Sequence, residues 1–269
     1  MSAISQALRD FQSLESLAAQ DSVLSALDAR AKILVTLGFI VTVVSFDRYA
    51  VAALLPLALF PVILAALGNI PERVIGRSVL LAAPFAVMLG ALNPFFDQQV
   101  VLQVAGYGIT GGWLSFASIL IRFVLTVSAG LILVASTGFA PLCSGLGRLG
   151  LPQVLTTQLL LLHRYAGVLA NEAARMSQAR ELRANGRALP LAVYGPLLGH
   201  LLLRALQRAQ RIHQAMLARG FDGQLHRSAS LAWQRRDTLF LGACLLGFVL
   251  VRQLDLAHLM GVLVLGIVR

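Results

Sequence analysis

Apolar residues gather into six segments along the chain, at 33–46, 49–67, 79–96, 113–137, 239–251 and 254–268. Charges punctuate them: Asp47-Arg48 ends the first, and Arg252 and Asp255 split the last two. A hydrocarbon core ~30 Å thick takes about 20 helical residues. The second, third and fourth segments meet that length, and the first does so once Ala31 and its neighbours are included. The closing pair are shorter and fit either two tilted spans or one span and one interfacial helix. Ahead of the first segment, Leu8, Phe11, Leu14, Leu17 and Leu24 stand at rough helical spacing. That spacing fits a short amphipathic helix at a membrane surface as well as a plain tail. No basic start leads at once into an apolar run, so no cleavable signal peptide is expected.

Between the fourth and fifth segments the pattern becomes amphipathic. One helix is expected from about Gln153 to Arg183, with Pro152 at its start and Asn185-Gly186 as a stop. A second is expected over 191–219, kinked early by Pro196 and closed by Gly220 as a left-handed cap. At ~1.5 Å per residue each would run to roughly 45 Å, which suits helices lying under a membrane. At about 100° per residue, Arg204, Arg208, Arg211 and Arg219 share one face of the second helix. Leu202, Leu206, Ala209 and Met216 share the opposite face.

Composition agrees with a chain that lives mostly in lipid. Of 269 residues, 58% are hydrophobic and 13% charged, and mean hydropathy is +0.79. A soluble domain could not cover that much apolar side chain. Disordered, collagenous and disulfide-framework classes are excluded as well. Charge is distributed unevenly. Residues 141–236 hold thirteen arginines against Glu172, Glu181 and Asp222, which accounts for the whole net charge of +10. The remainder is neutral. Three regions follow: 1–139 with four spans, 140–236 as an arginine-rich helical domain, and 237–269 with the last spans. The expected fold is all-α, a polytopic membrane protein of about six transmembrane helices with two long cytoplasmic helices.

Cationic residues also orient the chain. Arg30 and Lys32 precede the first span, Arg73 and Arg77 follow the second, and 97–112 has neither lysine nor arginine. The positive-inside rule then places the N-terminus and 141–236 in the cytoplasm and 97–112 outside. Arg122 lies about a third of the way into the fourth span, where an arginine costs a few kcal/mol on insertion scales. It is expected either to snorkel toward the outer interface or to contact another membrane subunit.

Chemistry within the chain is sparse. Lys32 is the single lysine and no Walker A sequence occurs, so the chain is not itself a P-loop ATPase. Cys143 and Cys244 form no metal or disulfide pattern. The histidines at 163, 200, 213, 226 and 258 never pair at helical spacing, and no D-x-x-D carboxylate pair occurs, so neither an enzyme nor a metal site is expected. The arginine stripe suits anionic lipid headgroups or an acidic groove on a partner protein. Nucleic acid is not an expected partner, because the aromatic interleaving of a stacking platform is missing.

Each long helix ends distinctively, the first in Gln178-Ala179-Arg180-Glu181-Leu182-Arg183 and the second in Ala218-Arg219-Gly220-Phe221. With Leu27-Asp28-Ala29-Arg30-Ala31-Lys32, Asn93-Pro94-Phe95-Phe96-Asp97, Leu149-Gly150-Leu151-Pro152 and His163-Arg164-Tyr165 in order along the chain, the sequence resembles the transmembrane T component of energy-coupling factor (ECF) importers, in its cobalt-type CbiQ branch. That family carries two Ala-Arg-X motifs at the ends of two coupling helices. Ala218-Arg219-Gly220 matches it closely, and Ala179-Arg180-Glu181 is the better register for the first, with Glu181 in place of a small residue and Arg183 competing.

The resemblance implies a non-catalytic subunit of the inner membrane that binds no cofactor itself, ATP and magnesium being held by partners. Its implied partners are two ATP-binding subunits, a substrate-binding membrane S component, a small accessory membrane subunit and membrane lipid. Arg180 and Arg219 would each dock into an acidic groove of one ATPase, with Arg208 and Arg211 as secondary contacts. Cobalt follows from the branch; nickel or a vitamin remain open. Glu172-Ala173-Ala174 also resembles the start of the EAA loop of conventional ABC permeases, which would make the chain one of a pair of permease subunits.

Overall fold

The computed structural model describes residues 20, 22–47, 49, 51–96, 100–104, 107–184, 192, 194–223 and 233–253. The elements in chain order are α1 (Ala29–Ser45), α2 (Val51–Leu54), a 3-10 turn (Pro56–Ala58), α3 (Leu59–Leu67), α4 (Glu72–Gly90), α5 (Asn93–Phe96), β1 (Val100–Val104), β2 (Tyr107–Thr110), α6 (Gly111–Thr137), α7 (Phe139–Arg148), α8 (Gln153–Arg183), α9 (Tyr194–Ala218) and α10 (Arg235–Gln253). The expectations for residues 8–17, for the stop at Asn185-Gly186 and for the apolar segment 254–268 lie outside the described residues.

Chain contacts separate an apolar unit, 17–138 with 231–269, from an arginine-rich unit built on 139–230. In the apolar unit, α1 packs against both α6 and α10, and α4 packs along α6. The core is aromatic and aliphatic: Val35, Phe39 and Val43 of α1 meet Leu54, Leu57, Leu125, Ala129 and Phe248. Phe39 stacks on Phe60 with ring centroids 4.4 Å apart, and the edge of Phe248 meets Phe60 at 5.1 Å. Such aromatic pairs add about 0.5–1.5 kcal/mol beyond the area they bury. Glycines admit the closest approaches. A side chain at Gly90 would meet the Phe116 ring at 2.7 Å, and one at Gly38 would meet Leu245 at 3.0 Å.

The outward faces are apolar too. Leu80 and Leu81 of α4 are 74% and 84% exposed, and Leu37, Val41 and Val44 of α1 are exposed beside them in kind. A helix apolar all round yet uncovered is what lipid requires, not a soluble core. Among the described residues, α4 and α6 are long and apolar enough to cross a membrane.

Two expectations gain detail. The segment 49–67 is an apolar helical stretch from Val51 to Leu67, though not a uniform one: α2, a 3-10 turn and α3 follow one another. Pro56 and Pro61 lack backbone donors, and each falls in the first turn of its own element, where no donor is needed. The fold is all-α in class, with one short addition: within 97–112 the strands β1 and β2 pair antiparallel, with Leu102 opposite Ile109 and an irregularity between Val100 and Leu102. The count of about six spans is not reached among the described residues.

Arg122 has partners within the chain itself. Its Nη2 donates to the carbonyl of Phe46 at 2.9 Å and to that of Asp47. These carbonyls lie just past the C-terminus of α1, where the intrahelical donors have run out. Arg252 of α10 lies 4.7 Å over the Phe46 ring at the same end. Arg122→Leu should therefore lower the stability of the purified chain by about 1–2 kcal/mol, since it removes charge-assisted hydrogen bonds of which one is part-buried and the other exposed. Thermal unfolding in detergent checks this, and the loss should be the same with or without partner subunits.

Candidate coupling surface

The arginine-rich unit begins with α7, which turns into α8 through Gly150 at φ 113°. A side chain at Gly147 would touch Thr156 Oγ1 at 3.0 Å, so α7 and α8 close on each other there. Phe139 stacks on His163 at 4.3 Å. The helix α8 then runs unbroken for 31 residues, and α9 for 25. The helix α9 is described from Tyr194, and the expected start at 191 lies outside the described residues. Pro196 falls in the first described turn, where its missing N–H is harmless.

The contacts between α8 and α9 run in opposite sequence order. Ala173, Met176 and Ser177 share a small cavity with Tyr194, Leu197 and Leu201. Arg204 Nη1 donates to Glu172 Oε1, and Arg175 Nη2 to Glu172 Oε2 at 2.7 Å. Beyond α9, Thr157 Oγ1 donates to the carbonyl of Gly223 at 3.3 Å. The two helices are therefore antiparallel. Their C-terminal ends point to opposite ends of the pair. Arg219 lies near the level of Thr157, and Arg180 lies ~35 Å further along α8 at ~1.5 Å per residue. Glu172 is held below the ordinary carboxylate value, first by the hydrogen bond from Arg175 and then by that from Arg204. It stays ionised at neutral pH, and this tie weakens only as pH falls through that lowered value.

Between the helices lies a groove of about 550 Å³, lined by residues including Leu161, Tyr165, Leu206, Ala209 and Met216. Apolar positions of the second helix thus face α8. His213 lines the groove as well, and Arg208 reaches its edge.

Each expected docking residue is on the surface. Ala179, Arg180, Glu181 and Arg183 are exposed in the last two turns of α8, and Ala218, Arg219 and Gly220 are exposed at the end of α9. Ser177 Oγ donates to Glu181 Oε1 at 3.3 Å, which draws the glutamate back along the helix. The end of α9 is tightly built. The N–H of Gly220 bonds the carbonyl of Leu217, and the N–H of Phe221 bonds that of Met216, both at 3.0 Å. With Gly220 at φ 76°, this double closure is a Schellman motif, and Phe221 and Met216 both line the groove below it. The motif fixes where the Arg219 side chain leaves the helix. Nothing lies within 4 Å of a side chain added at Gly220, so the cost of Gly220→Ala is conformational, about 1–2 kcal/mol. That variant should insert normally but weaken whatever Arg219 binds, measurable as a lower affinity in a pull-down titration.

Among the described residues, Arg180, Arg183, Arg208, Arg211 and Arg219 have no carboxylate of this chain against them, whereas Arg175 and Arg204 share Glu172. Five cations on one helix pair, without internal partners, repel one another unless something negative lies across them. No group of three or more His, Cys, Asp or Glu among the described residues is placed to hold a metal ion. Glu172-Ala173-Ala174 sits mid-helix, its carboxylate engaged by Arg175 and Arg204, rather than in a loop. The antiparallel arrangement was not visible in the sequence, which shows helix faces but not the register between them.

Known proteins resemble this arrangement of helices in sequence. The chain is 28% identical over 199 residues to the cobalt transport protein CbiQ of Rhodobacter capsulatus, covering 72% of this chain and 78% of that one. It is 26% identical over 251 residues to the energy-coupling factor transporter transmembrane protein EcfT of Leuconostoc gelidum, covering 86% and 92%. It is 32% identical over 116 residues to the nickel permease LarQ of Lactiplantibacillus plantarum, covering 43% and 42%. A sequence profile of the cobalt transport proteins matches residues 20–231, and the chain belongs to that family, CbiQ.

Proposed function

We propose that this chain is the energy-coupling membrane subunit of an ATP-driven ECF-type importer of cobalt ions. It is a membrane protein whose own residues offer no catalytic constellation. It links two ATP-binding subunits to a separate substrate-binding membrane subunit, with a small accessory membrane subunit and lipid as further partners. The observation that carries this reading is the pair of exposed arginines, neither with a carboxylate against it among the described residues, at opposite ends of an antiparallel helix pair. Two docking points ~35 Å apart along a helix are too far separated for one groove and suit two partners. A guanidinium offers a planar fork that fits a carboxylate in a fixed direction. When the ATPases close on ATP, the rods they hold would shift and reorient the substrate subunit.

In this reading the N-terminus and residues 139–230 face the cytoplasm, the remaining apolar segments supply further spans of the inner membrane, and ATP with magnesium is bound by the partners. Nickel is a second reading, favoured by the identity to a nickel permease, and a vitamin a third, favoured by the likeness to EcfT. The test is uptake of radioactive cobalt and nickel by cells that lack their own importers and express this chain with its neighbouring genes. Cobalt uptake that needs both this chain and ATP supports the reading. Uptake of nickel alone corrects the substrate, and uptake of neither removes the reading.

A further inference from the structure

Three buried charged side chains in the apolar unit have no part in the docking surface. Asp28, Lys32 and Asp237 are 4%, 6% and 2% exposed. Asp28 caps the N-terminus of α1, its carboxylate accepting from the N–H of Arg30 at 2.8 Å and from the Arg30 guanidinium at 3.2 Å. The N–H of Asp28 in turn donates to Asp237 Oδ1 at 2.8 Å. The other oxygen of Asp237 accepts from the N–H of Gln234 at 2.7 Å, the residue that opens α10. One carboxylate therefore closes the starts of two helices, in the manner of a capping box shared between them. Arg30 also lies 5.4 Å over the ring of Trp233. Lys32 Nζ donates to the carbonyl of Ser136 at 3.2 Å, at the C-terminal turn of α6. Two helix N-termini meet carboxylates and one helix C-terminus meets an ammonium, so every dipole end is matched in sign.

The location of this cluster along the chain matters. Asp28 opens α1, Ser136 lies in the last turn of α6 and Asp237 lies in the first turn of α10, so three helices of the apolar unit meet at one buried charge cluster. An apolar contact would hold helices together with little directional demand. Buried charges satisfied by specific N–H and carbonyl groups tolerate only one register.

We propose that Asp28, Lys32 and Asp237 are positioning residues that fix α1, α6 and α10 in one register, so that force received through the docking arginines moves these helices together instead of being lost between them. This rests on the coupling function proposed above. The hub touches neither metal nor nucleotide, and its loss should uncouple rather than disassemble.

The test reconstitutes the chain in vesicles with its two ATPases and its substrate subunit, and measures cobalt(II) and nickel(II) taken up per ATP hydrolysed. Lys32→Met and Asp237→Asn are compared with Lys32→Arg, which keeps a cation able to reach the Ser136 carbonyl. Expected is retention of the ATPases and of ATP hydrolysis in all three, a fall of about tenfold in metal per ATP for the first two, and substantial recovery in Lys32→Arg. An unchanged ratio in Lys32→Met and Asp237→Asn overturns the hub while leaving the coupling function standing. Loss of ATPase binding in step with uptake overturns it too, because the cluster is then an ordinary folding contact. An unsubstituted chain that binds no ATPase removes the coupling function and the hub together.

Discussion

Arg219→Glu should abolish uptake while leaving the chain inserted in the membrane. Arg219 follows the last residue of α9, is exposed, and has no internal carboxylate among the described residues. The Schellman closure at Gly220 and Phe221 holds its backbone in one conformation, so the guanidinium is presented rather than left to wander. Removing one partner of a hydrogen-bonded interfacial charge pair costs about 2–5 kcal/mol, or roughly 30-fold to several thousandfold in affinity. Reversal adds repulsion from the acidic groove and places a carboxylate at the negative end of the α9 dipole. Insertion should be spared because no core residue touches Arg219. Transport assays beside a membrane-fraction blot read the two effects separately, and uptake at the unsubstituted rate would count against the docking role.

Combining Arg180→Glu with Arg219→Glu should be far worse than either alone. The arginines stand at opposite ends of the antiparallel pair, so each is expected to hold a different ATPase. Sites that far apart with no shared partner lose free energy additively, and affinities therefore multiply. Either single variant should retain one ATPase in a pull-down, and the double variant none. Should Arg180→Glu prove silent while Arg183→Glu is not, the first motif lies one turn later. Both side chains are exposed in the last turn of α8 and present nearly the same face.

Legibility in the sequence followed the physics of each feature. The helix Gln153–Arg183 was readable to its ends, because Pro152 marks the start and the amphipathic pattern gives out after Arg183. The cap at Gly220 was readable because a left-handed residue after an amphipathic run has few alternatives. The broken second segment was not, since hydropathy averages over Pro56 and Pro61 while the backbone cannot. The pairing of β1 and β2 was missed for a related reason: residues 97–112 were read by their lack of cations, not by their alternation. Arg122 was weighed only against lipid and partners, whereas its acceptors lie 75 and 76 positions earlier in the chain. The bond between Asp28 and Asp237 spans 209 positions, and no periodicity connects residues so far apart.

The chain, extracted in mild detergent with everything that adheres to it, can be weighed by native mass spectrometry. Expected is a single copy of this chain with two nucleotide-hydrolysing subunits, falling to one on Arg219→Glu. A pair of these chains sharing two such subunits, or a chain that transports with no ATPase attached, would contradict the proposed division of labour.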